Sequence, residues 1–462
     1  MLYLLFEDKS LIEYCRSFGI VLGLLAKPRV ILEEGRKHVT TSLFIVPHRD
    51  LAYQLLHWIE SIVRELKPEP KLTSIVQVLV RGSEKSHEKL MEEIEETPPH
   101  ILICTPQAFL EVHKMDSEAM QLGRLSTVVV DEVDYLVPTV VKDRKNSYWK
   151  AYEKASKKIR MHPGPTREIL DKIYARRKEL WENQYDPEED EEGRYNSVEE
   201  WRNSVEAEEE IPQLVMSSAT LRVHLKDYLF GESGWLNGYN LVKINGVIPG
   251  AAQGEEKKKS GKTEHSILVV SDTGVRNVDG AVERLSEECE MGREAEGEAD
   301  GIRPITQTRV YDTPSPFNPV ALEAIAAAFA LDVPAFALLV LPSSAPVRRA
   351  VHELQSLGVN AQGLDMLDGR VRTADPTLLV ATLATTRGLD LPSLTHVFVL
   401  GIPEGPAVSG LTVDAYLHVS GRVGRFGRSG RVVSVVEAAD EAKMARILGA
   451  IGEIPVQFKQ LI

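Results

Sequence analysis

Cysteine is nearly absent, with three in 462 residues. Cys15, Cys104 and Cys289 stand far apart and in no metal-ligand spacing, which excludes a disulfide framework and suits a reducing compartment. No apolar run approaches the roughly 18 residues needed to span a bilayer, so no membrane role is expected. The amino-terminal stretch has neither the basic region of a signal peptide nor the Arg/Ser-rich character of a transit peptide. Met1-Leu-Tyr-Leu-Leu-Phe reads instead as the inside of an apolar helix without a cap, and Met1 to about Leu25 is expected to be helical. A basic balance is missing too, since the net charge is −14. That deficit is local. Asp186 to Glu210 carries twelve acids against two arginines, and Ala281 to Asp300 eight against two, so the rest of the chain is close to neutral at about +2. The core is therefore free to carry a basic face, and nucleic acid is not excluded.

What is present is ordinary for a folded chain: 43% hydrophobic and 26% charged residues, with length for two or three domains. Short apolar runs alternate with helical patterns. Ser42 to Val46, Ser74 to Val80, His100 to Cys104, Thr127 to Val130 and Gln213 to Met216 read as strands, with a helix from the Pro47-His-Arg-Asp stretch to Glu65. Further on, Phe336 to Leu341, Thr377 to Ala381, His396 to Leu400 and Arg431 to Val436 repeat the pattern. The alternation predicts the α/β class, with two doubly wound, mostly parallel sheets. The stretch between Pro138 and Pro212 is too long for a loop in a compact domain. It reads as an insertion over about 139–211, with helices from Ser147 to Arg160 and Thr166 to Glu182. Residues 250–302, rich in Gly, Lys and Glu with one apolar run, Ile267 to Val270, read as an acidic, irregular linker or a partly ordered insertion. The expected organisation is a first domain over 1–249, that linker, and a second domain over 303–462.

One stretch stands out chemically. Thr127 to Val130 ends in Asp131-Glu132-Val133-Asp134, so a buried strand delivers carboxylates to its C-terminal tip, where ligands bind in open α/β sheets. One carboxylate there could hold Mg²⁺ through water while its neighbour orients an attacking water. The plain alternative is a solvated strand end. Ser218-Ala-Thr220 ends another strand of the same domain, within expected hydrogen-bonding reach of Asp134. In the second domain Arg387-Gly388-Leu389-Asp390 follows a strand, and His418 to Arg428 sets three arginines at intervals of three among glycines. Glycine permits close backbone approach, and spaced guanidiniums suit bidentate phosphate recognition; the alternative is a solvated basic loop.

Together, and in this order, these stretches resemble the DEAD-box RNA helicases of superfamily 2. The Pro47-His-Arg49-Asp50-Leu-Ala stretch is similar to the family's P-T-R-E-L-A, Thr105-Pro106 to T-P-G-R, and Asp131 to Asp134 to D-E-A-D. Ser218-Ala219-Thr220 matches S-A-T, Thr386 to Asp390 matches A-R-G-x-D, and His418 to Arg425 resembles H-R-x-G-R-x-G-R. The resemblance implies two RecA-like domains, ATP and Mg²⁺ as cofactors, and RNA or a ribonucleoprotein as partner. It assigns Asp131 to Mg²⁺ through water, Glu132 to the hydrolytic water, and Arg422 and Arg425 to the γ-phosphate as arginine fingers. Asp390 would help read the nucleotide. Asp134, Ser218, Thr220 and His418 would couple hydrolysis to domain closure. Arg49, Thr105, Arg387 and Gly388 would meet the RNA backbone, which fixes position without reading sequence.

The chain departs from the family in specific places. No G-x-x-x-x-G-K-[ST] loop precedes the first helix, and the upstream glutamine motif that reads adenine is absent. Met1-Leu-Tyr-Leu-Leu resembles the helix that follows that loop in relatives, so the loop is expected upstream of Met1. Ser260-Gly261-Lys262-Thr263 looks like a loop end, but its glycine spacing is wrong and a strand follows it instead of a helix. Thr105-Pro106-Gln107 lacks an arginine, Val419 replaces the first arginine of the arginine-glycine motif, and Leu383 replaces an aspartate. The second domain is short between Gly363 and Thr377. The expected function is thus an ATP-dependent RNA helicase that remodels RNA or ribonucleoprotein, acting as an intracellular monomer. Mitochondrion, nucleus and cytoplasm are not distinguished, although the insertion suggests an assembly factor, such as one in an organelle. The alternatives are a catalytically inactive RNA- or ribonucleoprotein-binding scaffold and a DNA helicase. The protein partners and the particular RNA are not written in these residues.

Overall fold

A computed structural model of the chain describes residues 3–7, 13–32, 37–82, 87–116, 122–140, 149–178, 211–218, 220–236, 241–245, 263–271, 274–283, 314–364, 376–391, 393–402, 410–424 and 429–458. Two compact units emerge. The first holds residues up to 258 and the segment Ala384–Leu391; most of the remainder forms the second.

The first unit is built on β1 (Tyr3–Glu7), β4 (Ser42–Ile45), β5 (Val76–Leu79), β6 (Ile101–Cys104), β7 (Thr127–Val130), β8 (Gln213–Ser218) and β9 (Leu241–Asn245). They form one sheet in the order β5-β6-β4-β7-β8-β1-β9, with every pairing parallel. A two-stranded ribbon, β2 (Ile31–Leu32) with β3 (Lys37–His38), stands apart. The helices are α1 (Glu13–Leu25), α2 (Arg49–Arg64), α3 (Leu72–Ile75), α4 (His87–Glu96), α5 (Pro106–Met115), α6 (Val133–Leu136), α7 (Trp149–Met161), α8 (Pro165–Ile173) and α9 (Val223–Gly231).

The continuous apolar character of β4, β6 and β7 follows from burial on both faces, as parallel sheets require. Leu43, Ile45, Val128 and Val130 join one core with Phe109, Leu110, Ile169 and Leu229. The alternate residues Phe44, Ile103 and Val129 are equally buried.

One expectation needs correction here. Tyr3–Glu7 is a strand, not the start of a helix, and only Glu13–Leu25 is helical. A five-residue apolar run fits either element, and pairing with β8 on one side and β9 on the other settles it. Part of the insertion is built into the core of this unit. Ile169, Leu170 and Tyr174 belong to the main core, and α8 packs against α5. Asp171 accepts a hydrogen bond from the Trp235 indole at 2.9 Å, and Arg177 donates to the Trp235 carbonyl at 2.9 Å.

The second unit is a sheet of β10 (Thr263–Ser271), β11 (Gly274–Asn277), β12 (Phe336–Leu341), β13 (Ala361–Gly363), β14 (Thr377–Thr382), β15 (His396–Leu400) and β16 (Gly430–Glu437). Its order is β11-β10-β16-β15-β12-β14-β13, parallel except for the hairpin β10–β11. Its helices are α10 (Pro319–Asp332), α11 (Val347–Ser356), α12 (Gly410–Ser420) and α13 (Glu441–Ile451). The strand β10 falls on the apolar run Ile267–Val270 and makes this part of 250–302 an ordered element of the second sheet. Ile267, Leu268 and Val269 are fully buried, and eight residues of β10 pair with β16. Both acidic runs, 186–210 and most of 281–300, and the Ser260-Gly-Lys262 stretch lie outside the described residues. Among the described residues no helix is long and apolar enough to cross a membrane.

An ion-pair network locks the N-terminal edge of this second sheet. Arg431 at the start of β16 grips both oxygens of Asp332 at 2.6 Å, and His396 lies 3.3 Å from the same carboxylate. Burial alone would raise the Asp332 carboxyl, but the His396 hydrogen bond and the Arg431 charge outweigh it and hold the group below its usual 3.8. A depressed carboxyl contributes stability above its unfolded pKa, and that contribution fades as pH falls through the folded value. Arg431→Gln should therefore cost about 2 kcal/mol near neutral pH, discounted because Arg431 is partly exposed. Urea unfolding across pH should show the gap between variant and wild type closing in the acid range below the ordinary aspartate pKa. A gap that widens there contradicts the assignment.

Candidate functional site

Because all seven strands of the first sheet run parallel, their C-terminal tips share one edge. That edge receives the Asp131–Asp134 stretch from β7, Ser218 from β8, Thr105 from β6 and the Pro47-His48-Arg49 turn from β4. The β7–β8 register pairs Val130 with Met216, which sets Asp131 beside Ser217. The Ser217 hydroxyl donates to Asp131 Oδ1, and the Glu132 backbone N–H donates to the same oxygen at 3.0 Å. Ser17, from α1, donates to Oδ2 at 2.8 Å. Asp131 has no exposed surface and Glu132 only 1%.

Glu132 is also strained. Its φ of 53° and ψ of 50° lie in the left-handed region, which costs a non-glycine residue of order 1–3 kcal/mol and persists where surrounding contacts enforce it. The strain sits at the junction of β7 and α6, where the chain must turn sharply while keeping its amide on Asp131. The solvated strand end weighed from the sequence is therefore not what this tip is.

The neighbouring strand end closes a second link. The Thr220 hydroxyl donates to Asp134 Oδ2 at 2.6 Å, while the Ser218 hydroxyl accepts from the Thr220 backbone N–H at 3.2 Å. Thr220 thus holds Asp134, and Ser218 shapes the turn. Ala219 lies outside the described residues.

Along the same edge His48 caps α2. Its Nδ1 accepts from the Leu51 N–H at 3.3 Å, and its Nε2 lies 2.6 Å from the Arg387 carbonyl. An acceptor at Nδ1 requires the proton on Nε2 in the neutral ring, so Nε2 donates to Arg387. The Arg387 guanidinium rests 4.7 Å from the Tyr135 ring centre. Gln54 accepts from the Asp390 N–H at 2.8 Å. Gly388 is required between them: its φ is +67°, and a Cβ there would stand 2.6 Å from the Leu51 side chain. All these residues fall in the first unit. Arg49 is half-exposed at the start of α2, 3.8 Å from the Asp50 carboxylate. Thr105 is the buried N-cap residue of α5, and its hydroxyl makes no capping bond.

In the second unit His418 ends α12 and is buried, as is Arg422, whose Nε donates to the His418 carbonyl at 3.1 Å. Val419 is fully buried, so an apolar side chain serves packing where the motif would have an arginine. Gly430 could not carry a side chain: a Cβ would lie 2.6 Å from the Gly424 nitrogen. Arg425 lies outside the described residues.

The fit to the expected cofactors can be tested on these contacts. Donors from Ser17, Ser217 and the Glu132 amide fix the orientation of the Asp131 carboxylate, a hard oxygen ligand of the kind that suits Mg²⁺ held through its own waters. The phosphates of a nucleotide are served less well. Between β1 and α1 the sequence reads Asp8-Lys-Ser-Leu-Ile12, without the glycines whose exposed amides cradle phosphate.

Ser17, Ser217, His48 and Gln54 were not singled out in the sequence. A serine in an apolar helix or beside a strand end carries no motif, and only the strand register makes it a partner. His48 did carry a signal, since a polar residue just before a helical pattern is a cap candidate.

Known proteins resemble this arrangement. The DEAD/DEAH box helicase family matches residues 24–228, and the helicase conserved C-terminal domain matches residues 366–427. Among solved structures, S. cerevisiae Dbp5 bound to RNA and ADP BeF3 is 14% identical with a TM-score of 0.55, covering 99% of this chain and 85% of its own. The DEAD-box helicase Mss116 bound to ssRNA and UDP-BeF is 14% identical with a TM-score of 0.56, covering 99% and 71%. Mycobacterium smegmatis helicase Lhr bound to ssDNA and AMP-PNP is 14% identical with a TM-score of 0.55, covering 98% and 47%. At these identities the structures speak to the fold. No curated protein sequence matches.

The Asp131 contacts predict a stability effect. Ser217→Ala removes one hydrogen bond to Oδ1 and should cost about 1.5–3 kcal/mol, the range for a hydrogen bond to a charged group. Urea unfolding measures it, and a change below about 0.5 kcal/mol would mean the bond is not made.

Proposed function

Because the chain belongs to the DEAD-box helicases of superfamily 2, we propose that it couples ATP hydrolysis to RNA binding and to remodelling of RNA or ribonucleoprotein. The observation that carries this reading is the Thr220–Asp134 hydrogen bond beside a fully anchored Asp131. A chain that had shed nucleotide chemistry would have no need to keep the tips of β7 and β8 tied at two acids.

In this reading Asp131 would hold Mg²⁺ through water, and the ion would supply charge neutralisation for phosphoryl transfer. Glu132 positions the attacking water. Arg422 and Arg425 serve as arginine fingers and Asp390 as a nucleotide contact, while Ser218, Thr220, Asp134 and His418 couple hydrolysis to closure. Arg49, Thr105, Arg387 and Gly388 meet the RNA backbone. The contact of His48 with the Arg387 carbonyl supports this last role, because it fixes the segment beside the start of α2. We further propose a monomer within the cell.

A second reading has its own support. Asp8-Lys-Ser-Leu-Ile12 stands where a phosphate loop belongs, which favours a scaffold that binds RNA or ribonucleoprotein without hydrolysis.

RNA-stimulated ATPase activity separates the two. Under the first reading Glu132→Gln lowers the rate by at least about 100-fold, and Arg422→Ala lowers it by about 1,000-fold or more while nucleotide binding persists. Equal basal rates for wild type and Glu132→Gln, with RNA binding intact, would establish the scaffold.

A further inference from the structure

The insertion carries a surface that none of the roles above uses. Helix α7 places Lys150, Lys154, Lys157 and Lys158 in solvent, all four exposed. At 3.6 residues per turn these positions fall within an arc of about 100° and along about 12 Å of helix. The opposite face is the attached one: Tyr152, Ser156 and Ile159 are partly buried. With Arg167, His224 and Tyr228 they line a pocket of about 400 Å³.

The helix is held on a firm base. The Arg167 guanidinium lies 3.9 Å from the centre of the Tyr228 ring and donates to the Pro138 carbonyl. Ile169 and Leu170 of the next helix, α8, are fully buried in the main core. The lysine row therefore lies on the helix that leads directly into this anchored one. None of the four lysines makes a salt bridge among the described residues. Lys150–Lys154 and Lys154–Lys158 are like-charge pairs at i,i+4 spacing, while Glu153 stands four residues before Lys157 alone, so a polyanion docked along the row would relieve the remaining repulsion.

We propose that this lysine face of α7 is a second RNA-binding surface, outside the helicase motifs, that grips the phosphate backbone of single-stranded RNA without reading sequence. The proposal rests on the RNA reading above. Its length, about 12 Å, lets several successive phosphates meet one lysine each, and the compact ammonium groups act as point charges on them. A chain of net charge −14 repels RNA at long range, and a concentrated basic row on a rigid helix offsets that locally.

The test measures binding of a 20-nucleotide oligouridylate to the full chain by fluorescence anisotropy over a salt series. The variant carries Lys150→Gln, Lys154→Gln, Lys157→Gln and Lys158→Gln. A control of equal charge change carries Lys67→Gln, Lys71→Gln, Arg348→Gln and Arg446→Gln, all exposed elsewhere. Each lost phosphate contact lowers the slope of log K against log salt by about 0.7 for a single strand. The α7 variant should therefore lose about 2–3 units of slope and at least about tenfold in affinity at moderate salt. The control should lose little, and both should unfold at the wild-type temperature. An unchanged slope in a variant of a wild type that does bind RNA overturns this inference alone. So does a variant that keeps its RNA slope but loses binding of polyglutamate, which would make the face a seat for an acidic polypeptide. A wild type that binds no RNA overturns this inference and the RNA reading together.

Discussion

The first unit depends on a single buried carboxylate. Asp131 sits at the tip of a central strand with no exposed surface, and taking an ion out of water costs several kcal/mol even after relaxation. That cost is offset only because a helix, a neighbouring strand and the next backbone amide each bring a donor. The requirement fixes much else. It sets the distance of α1 from the sheet edge through Ser17 and the β7–β8 register through Ser217. It also sets the left-handed turn at Glu132, which points its amide back at Oδ1.

Chemistry and packing share residues here, which explains why the edge tolerates strain. Polar side chains buried at a strand tip would be a liability in a purely structural sheet. Here the tip of β7 carries Asp131, Glu132 and Asp134 in sequence, and the tip of β8 returns a hydroxyl to Asp134. The α2 cap works in the same way. His48 satisfies a helix N–H with one nitrogen and holds the Arg387 segment with the other, so a structural cap also fixes that segment beside the start of α2.

Much of this was legible in the sequence. Short apolar runs ending in acid or in Ser-Ala-Thr, alternating with helical patterns, read as strands of a parallel sheet, and their order in that sheet comes only from the structure. The parts that were not legible share one cause: local pattern is silent where tertiary pairing decides. Tyr3–Glu7 is too short to tell strand from helix until β8 and β9 flank it. Thr263–Ser271 is legible as a strand from its apolar run, but its place between β11 and β16 is not. The helices of the insertion were found, but their place was not, because Ile169 and Leu170 look no different in a separate lobe than in the main core. Ser17 and Ser217 carry no motif at all, although they anchor the residue on which the edge depends.

Backbone hydrogen exchange over residues 127–136, read by mass spectrometry on the native chain, tests the central claim most directly. If Asp131 is the buried hub described here, the amides of Asp131 and Glu132 exchange only on global unfolding, as slowly as those of Val128–Val130. Exchange of those two amides at the rate of an open loop, with the strand still protected, would show a solvated strand end and contradict the account.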